Sequence, residues 1–275
     1  MTWDADAVLA ASNEWAWVPD GAPRVWTEEY LVAALPTYFI TPTQARVFAS
    51  DRDPAELVDE VHAQAADWGR QHIWWTLSDT TRPTGLETEL LRRGARVTER
   101  ADVLALPLDG GVPDLAVPAD VEVRRVVDEP TLLDAFTVSN DAFGGEKPTR
   151  EQIDAGLASL EQPEGAQPSG RVVAYVDGRP AGVGGYTLAG PVCRLWGGGT
   201  HSDLRGRGAY RAVLAERLSI TAALGATLGL THGVVETSSP ILRRAGFTRY
   251  GEERELALDI APPAHADRAS AGRSA

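Results

Sequence analysis

The sequence predicts an α/β protein built from two domains, and three observations carry that expectation. At 275 residues the chain exceeds one ordinary domain and suits two of roughly 100–150 residues. Hydrophobic residues make up 43% and charged residues 24%, proportions that support a folded core. Strand-period and helix-period segments alternate on both sides of a stretch, 107–120, where Pro107, Gly110, Gly111, Pro113 and Pro118 interrupt every pattern. We therefore expect a first domain over 1–108, a linker over 109–119, a second domain over 120–260 and a disordered tail over 261–275.

In the first half, Ala45 to Ser50 reads as a strand. Asp53-Pro54 then opens a helix with Leu57, Val58, Val61 and Trp68 on one face, and Ile73 to Leu77 forms the next strand. Seven of the eight tryptophans lie at or before position 75, which favours aromatic packing here over a cage for a cation. In the second half, Val121 to Val126 alternates as a strand and Pro130 to Phe143 is helical. Arg171 to Val176 and Ala181 to Leu188 flank Asp177-Gly178, a hairpin signal. Glu161 to Gly170, rich in Pro, Gly, Gln and Glu, reads as a loop before it. Val192 to Thr200 is the following strand, and Tyr210, Val213, Leu214 and Leu218 mark one face of a helix. Thr227 to Val235 is strand-like, and a short helix begins at Ser239-Pro240 and ends at Gly246. The segments 94–106 and 246–258 align without a gap, each behind an arginine-bearing helical stretch, and point to an internal duplication.

Chemistry concentrates in residues 195–211. There a strand runs through glycine-spaced Arg205-Gly206-Arg207-Gly208 straight into a helix, gathering unpaired N–H groups and the positive end of the helix dipole around one point. Such a turn suits pyrophosphate, with Arg205 and Arg207 able to add charge-assisted contacts. It matches neither the dinucleotide fingerprint nor the ATP P-loop, and on its own a solvated turn with glycine caps explains it equally well.

Taken with Pro240 to Phe247 downstream, this segment resembles motif A of the Gcn5-related N-acetyltransferase family, whose Arg/Gln-x-x-Gly-x-Gly/Ala pattern holds the pyrophosphate of acetyl-CoA. The resemblance spans about 120–260 and, more weakly, 1–108. It implies two tandem acetyltransferase-like domains of mixed-sheet α/β type, the first one degenerate. It further implies acetyl-CoA as cosubstrate on Gly199, Thr200, Arg205, Gly206, Arg207, Gly208, Ala209, Tyr210 and Arg211, with strand 227–235 splaying to admit the pantetheine arm and with no metal. The expected reaction is acetyl transfer to a small-molecule amine. The first copy carries Asp51-Arg52-Asp53-Pro54 where the phosphate loop should be, so only the second should bind coenzyme.

An amine nucleophile must be neutral, which calls for a base. We expect His232 or Glu236 to serve as catalytic base, with His201 behind them, and strand N–H groups near Gly199 and Thr200 to polarise the thioester. Many relatives place a tyrosine acid four residues before the Gly-Phe glycine, where this chain has Leu242. That departure keeps a non-catalytic acyl-CoA-binding module open as the alternative.

The formal charge of −13 and the single lysine, Lys147, argue against nucleic-acid binding and favour a cationic acceptor. Lysine poverty beside abundant Ala, Gly and Arg is the composition of a GC-rich bacterial genome. Cys193, the one cysteine, excludes an internal disulfide and reads as a small buried hydrophobe. Asp4, Asp6 and Glu14 stand where a secretion signal would be basic and apolar, and no long apolar run follows, so a cytoplasmic setting without membrane contact is expected.

Overall fold

The computed structural model describes residues 3–161 and 166–260, so the expected tail over 261–275 lies outside the described residues. The first half runs α1 (Ala5–Asn13), β1 (Arg24–Trp26), β2 (Tyr30–Ala34), β3 (Thr43–Val47), α2 (Pro54–Asp67), β4 (His72–Ser78), α3 (Leu86–Arg92) and β5 (Arg96–Pro107). The second runs β6 (Val121–Arg125), α4 (Glu129–Phe143), α5 (Arg150–Ala158), β7 (Ser169–Val176) and β8 (Arg179–Ala189). It continues through β9 (Val192–Thr200), α6 (Ala209–Ala223), β10 (Leu228–Val234), α7 (Ser238–Arg244) and β11 (Thr248–Asp259).

Local chemistry sets the ends of these elements. Asp128 and Thr131 form a reciprocal capping box at the start of α4, which Gly144 ends in the left-handed conformation. Thr149 and Gln152 do the same for α5. Asp177 and Gly178, at φ 51° and 73°, give the β7–β8 hairpin the left-handed pair of residues that a tight two-residue turn requires.

By compactness the described residues divide into two units, one of residues 3–8 with 103–250 and one of residues 9–102 with 251–260; the stretch 109–119 lies inside the first of these. In the 9–102 unit, β1, β2 and β3 form an antiparallel meander, β3 pairs with β4 in parallel, and β11 pairs antiparallel with β4. Helix α2 turns Leu57, Val58 and Val61 into a core with Trp75, Leu86 and Leu90, which Leu256 and Leu258 of β11 complete.

The 103–250 unit repeats the scheme. Strands β6 to β9 pair antiparallel in sequence, β9 pairs with β10 in parallel, and β5 follows β10 in the strand order. Alternate residues of β7 separate its two layers. Val172, Ala174 and Val176 pack with Val213, Leu214 and Leu218 of α6 and Leu242 of α7, while Val173 and Tyr175 pack with Leu132, Ala135 and Val138 of α4. The helical face expected from Tyr210, Val213, Leu214 and Leu218 thus lies against the core.

The aligned segments 94–106 and 246–258 occupy equivalent elements, α3 leading into β5 and α7 into β11. They have changed places: the strand closing the first copy adjoins β10, and the strand closing the second adjoins β4.

Two irregularities shape the functional end of the 103–250 unit. Strands β9 and β10 are paired only from Val192–Leu228 to Arg194–Leu230; at the next step Thr231 Oγ1 donates to the Leu195 carbonyl at 3.0 Å. In β9 the register against β8 jumps from Trp196–Gly185 to Gly199–Val183, so Gly197 and Gly198 together face Gly184, with Gly197 at φ 59°. Behind this bulge lies Arg217 of α6, only 2% exposed. Its Nη1 donates to the carbonyls of Gly185 (3.0 Å) and Trp196 (3.3 Å) and its Nε to that of Val213 (3.2 Å).

Replacing Arg217 by Leu should leave the Gly185 and Trp196 carbonyls without this donor and destabilise the unit by about 2 kcal/mol. Leu224→Ala, at an exposed position, should change stability by less than about 0.5 kcal/mol. Urea titration followed by far-UV circular dichroism measures both, and equal midpoints for the two variants would refute the bracing role of Arg217.

Candidate functional site

After β9 the chain makes one 3-10 turn (Ser202–Leu204), passes through extended Arg205 and enters α6 by way of Gly206 (φ 76°) and Gly208 (φ 87°). A Cβ on Gly206 would meet open space, so its backbone angle alone calls for glycine. Gly208 answers to a neighbour as well, since a Cβ there would lie 2.5 Å from Cγ and Cδ of Pro118. No side chain caps α6. The N–H groups of Ala209, Tyr210 and Arg211 therefore have no intrahelical acceptor, and they carry the positive end of a 15-residue helix dipole.

The equivalent position in the 9–102 unit is closed. Asp53 N-caps α2, its carboxylate accepting from Ala55 N–H at 2.8 Å and Glu56 N–H at 3.4 Å. Its neighbour Arg52 is engaged too, by Glu60 at 2.6 Å and Glu29 at 3.5 Å. An anion approaching α2 would meet a carboxylate already in place.

The three arginines and the histidine at the open loop divide by role. Arg207 faces Asp177 (3.3 Å) and Asp120 (3.7 Å), and Arg211 donates to the Leu115 carbonyl at 3.4 Å. Arg205 is exposed and makes no hydrogen bond or ion pair among the described residues, which leaves it the available cation of the turn. His201 caps the 3-10 turn, its Nδ1 accepting from Asp203 N–H at 3.4 Å and lying 3.8 Å from Asp141 Oδ2. Asp141 in turn accepts from the N–H and hydroxyl of Ser202, and the N–H bond holds its carboxyl below the usual range. His201 thus belongs to the scaffold that ties α4 to the loop.

On the strands, Gly199 lies so close to α4 that a Cβ would stand 2.8 Å from Ala142 Cβ. Gly198 faces the opposite layer, towards Tyr210 and Arg217. Burial raises the Tyr210 hydroxyl above its ordinary pKa, an environment that keeps it protonated. Gly229 and Gly233 of β10 turn towards Leu218 and Leu242, so His232 between them points to the other face, where it is half-buried. Glu236 is exposed in the turn that follows β10. Leu242 is buried, with its Cδ1 3.0 Å from where a Gly233 Cβ would be, so hydrocarbon fills the place of the tyrosine. Cys193 is fully buried, and burial pushes its thiol up to about 11, far from the reactive range.

Sequence reasoning missed Arg217, Asp141, Pro118 and the stacked pair Arg171–Trp196. The signal for Arg217 was present: a charge inside the apolar stripe, four residues after Val213 and three after Leu214. Among the described residues no group of three or more His, Cys, Asp or Glu side chains is placed to hold a metal, and no helix is long and apolar enough to cross a membrane.

A meander ending in a splayed parallel pair, with a glycine turn feeding a helix between its strands, is the fold of the Gcn5-related N-acetyltransferases, present here in tandem. Three solved structures share it. A Gcn5-related N-acetyltransferase from Kribbella flavida aligns at TM-score 0.65 and 22% identity over 86% of this chain and 89% of its own. One from Sphaerobacter thermophilus aligns at 0.65 and 19% over 85% and 78%. A tandem protein of this fold from the clavulanic acid biosynthesis pathway aligns at 0.59 and 15% over 92% and 88%. No sequence-family model and no curated relative matches the chain.

Replacing Gly206 by Val should strain the turn by about 1–2 kcal/mol and turn the helix N-terminus away from a bound phosphate. Arg205→Ala should remove one charge-assisted contact. We expect calorimetric affinity for acetyl-CoA to fall about tenfold or more in each, with thermal unfolding little changed in Arg205→Ala. Undiminished affinity in both would move the coenzyme site elsewhere.

Proposed function

We propose that the 103–250 unit binds acetyl-CoA, one per chain, and transfers its acetyl group to the amine of a small molecule. The observation that carries this reading is the contrast between the two helix starts: α6 is uncapped and entered through Gly206 and Gly208, while α2 is filled by Asp53. We assign the coenzyme to Gly199, Thr200 and Arg205 to Arg211, with Arg205 as its unengaged cation, and the net charge of −13 favours an acceptor whose reacting end is cationic.

In this reading the amine nitrogen attacks the thioester carbonyl carbon, the C–S bond breaks, and CoA leaves as the thiolate. Beyond Arg194 β9 has no rung with β10, and strand N–H groups near Gly199 and Thr200 are the candidates to polarise the carbonyl oxygen as negative charge develops there. The proton released by the amine passes to a base, for which His232 and Glu236 are the candidates. The thiolate needs little acid help, because a thiol of ordinary pKa near 8.5 is a tolerable leaving group. A buried Leu242 is then compatible with turnover. The same residue favours the second reading, a module that binds acyl-CoA without reacting.

The test is release of free CoA thiol with a panel of amines across pH. The buried Cys193 should contribute no background to a thiol reagent. Losing a positioned base should slow the reaction by about 10²–10⁴-fold, so His232→Ala or Glu236→Ala is expected to show a loss of that size, while Leu242→Tyr changes the rate modestly. Rate should rise with pH to a plateau as the amine loses its proton. Binding of acetyl-CoA without thiol release from any amine would decide for the binding module.

A further inference from the structure

One side chain of the 103–250 unit has a cost that the reading above does not explain. Arg171 of β7 pairs across to Gly185, and Gly185 to Trp196, so the three stand on one rung of the sheet. Gly185 has no side chain, and the Trp196 indole occupies that space: a Cβ on Gly185 would overlap the ring. Trp196 Nε1 donates to Thr187 Oγ1 at 3.1 Å and fixes the indole in place. The Arg171 guanidinium lies over it, its Cζ 5.2 Å from the ring centroid.

That stack is all that holds the guanidinium. Among the described residues the Arg171 guanidinium makes no hydrogen bond and has no carboxylate within ion-pair distance, and burial alone weakens its hold on its proton. Arg217, the fully buried arginine of this unit, is by contrast satisfied by three main-chain oxygens. Desolvating a guanidinium without oxygen partners is unfavourable, and a cation–π contact offsets only part of that. The planar fork keeps five N–H donors for an incoming group. Neither Arg171 nor Trp196 is sealed from solvent.

The stack also stands beside the splay. Trp196 on β9 and His232 on β10 each lie two residues beyond the last paired rung, Arg194–Leu230. His232 points away from the α6 and α7 layer, and Trp196 shares the rung of Gly185, which faces away from Arg217. Trp196 and His232 are therefore on one face where the strands part, with Arg171 on the far side of Trp196. With strands about 4.8 Å apart, the guanidinium is about 5–10 Å from the splay.

We propose that Arg171, held on Trp196, binds the carboxylate of the acceptor, and that the acceptor is an amino acid whose amine reaches the splay. This rests on the acetyl-transfer reading. It reconciles an acidic chain with an anion site, since a zwitterion is not repelled as a simple anion would be.

The experiment compares amines in pairs that differ by one carboxylate: 5-aminopentanoate with butylamine, lysine with 1,5-diaminopentane, and phenylalanine with phenethylamine. 3-Aminopropyl phosphate tests the other common oxyanion. We expect the carboxylated member of at least one pair to have a KM lower by about 10–100-fold, the size expected of a charge-assisted bidentate contact. Arg171→Gln should abolish that difference by raising KM for the amino acid only, leaving kcat/KM for the plain amine and acetyl-CoA affinity unchanged. Arg171→Lys should restore it in part. Equal KM within every pair in the unaltered protein, or an equal effect of Arg171→Gln on both members, would overturn the proposal; preference for the phosphate would overturn the carboxylate assignment. If no amine releases thiol, the acetyl-transfer reading fails separately. Calorimetry of 5-aminopentanoate and butylamine into the full chain, with and without CoA, then decides: binding of the first alone and its loss in Arg171→Gln sustain the anion site, and no binding of either removes it.

Discussion

A positive charge sealed inside a protein with no acid beside it must be held by dipoles, and Arg217 is held by three carbonyl groups, two of them on the strands β8 and β9. Those carbonyls are available because the β9 bulge shifts its register against β8. Bulge and guanidinium therefore require each other: without the bulge the charge would be unsatisfied, and without the charge the bulge would leave carbonyls buried and unpaired. Just past the last β9–β10 rung, the bulge turns Gly198 towards Tyr210 and leaves Trp196 on the opposite face beside the divergence. The β9 backbone beside the divergence is thus held by a residue of a different element, the helix α6.

The two copies show how little separates an anion site from a closed helix end. Both have a strand, a connecting loop and a helix in the same order. One supplies glycines in the left-handed conformation and no side-chain cap, the other an aspartate that caps the first turn itself. The first copy has also filled the neighbourhood of its own parallel pair with charge: Arg46 on β3 and Glu253 on β11 form a 2.9 Å ion pair largely withdrawn from solvent. A buried pair of this kind is costly to break and leaves no free charge for a ligand. In the first copy these groups are satisfied internally.

Much of the second half was legible in the sequence, because its signals are local. The hairpin at Asp177-Gly178 and the apolar stripe of α6 each depend on residues close together in the chain, as does the short helix α7, although it starts at Ser238 behind Thr237, which makes no side-chain cap bond, and not with Ser239 as its cap. The glycine turn was legible for the same reason, since positive φ at Gly206 and Gly208 is a property of those residues. Elements α1, β1 and β2 were not read, being short and lacking a run of period 2 or 3.6 long enough to register. The exchange of β5 and β11 was equally hidden: the repeat between 94–106 and 246–258 is visible, but which sheet each strand joins is decided by contacts far along the chain. At the site, the same division holds. Arg205 to Arg211 follow from spacing, whereas the Arg171–Gly185–Trp196 rung brings together three residues from three strands and depends on register, which no single segment encodes.

The exchanged strands bear on how such a protein can change over generations. The sheet of the 9–102 unit includes β11, paired with β4 from Glu253–Ser78 to Asp259–His72, and the core of the 103–250 unit takes Leu104, Leu106 and Leu108 from the end of the first repeat. Neither copy is encoded by an uninterrupted stretch of gene. A deletion of either copy as a continuous stretch would therefore also take a strand from the other, so each half is bound to keep its place in the reading frame whatever becomes of its chemistry.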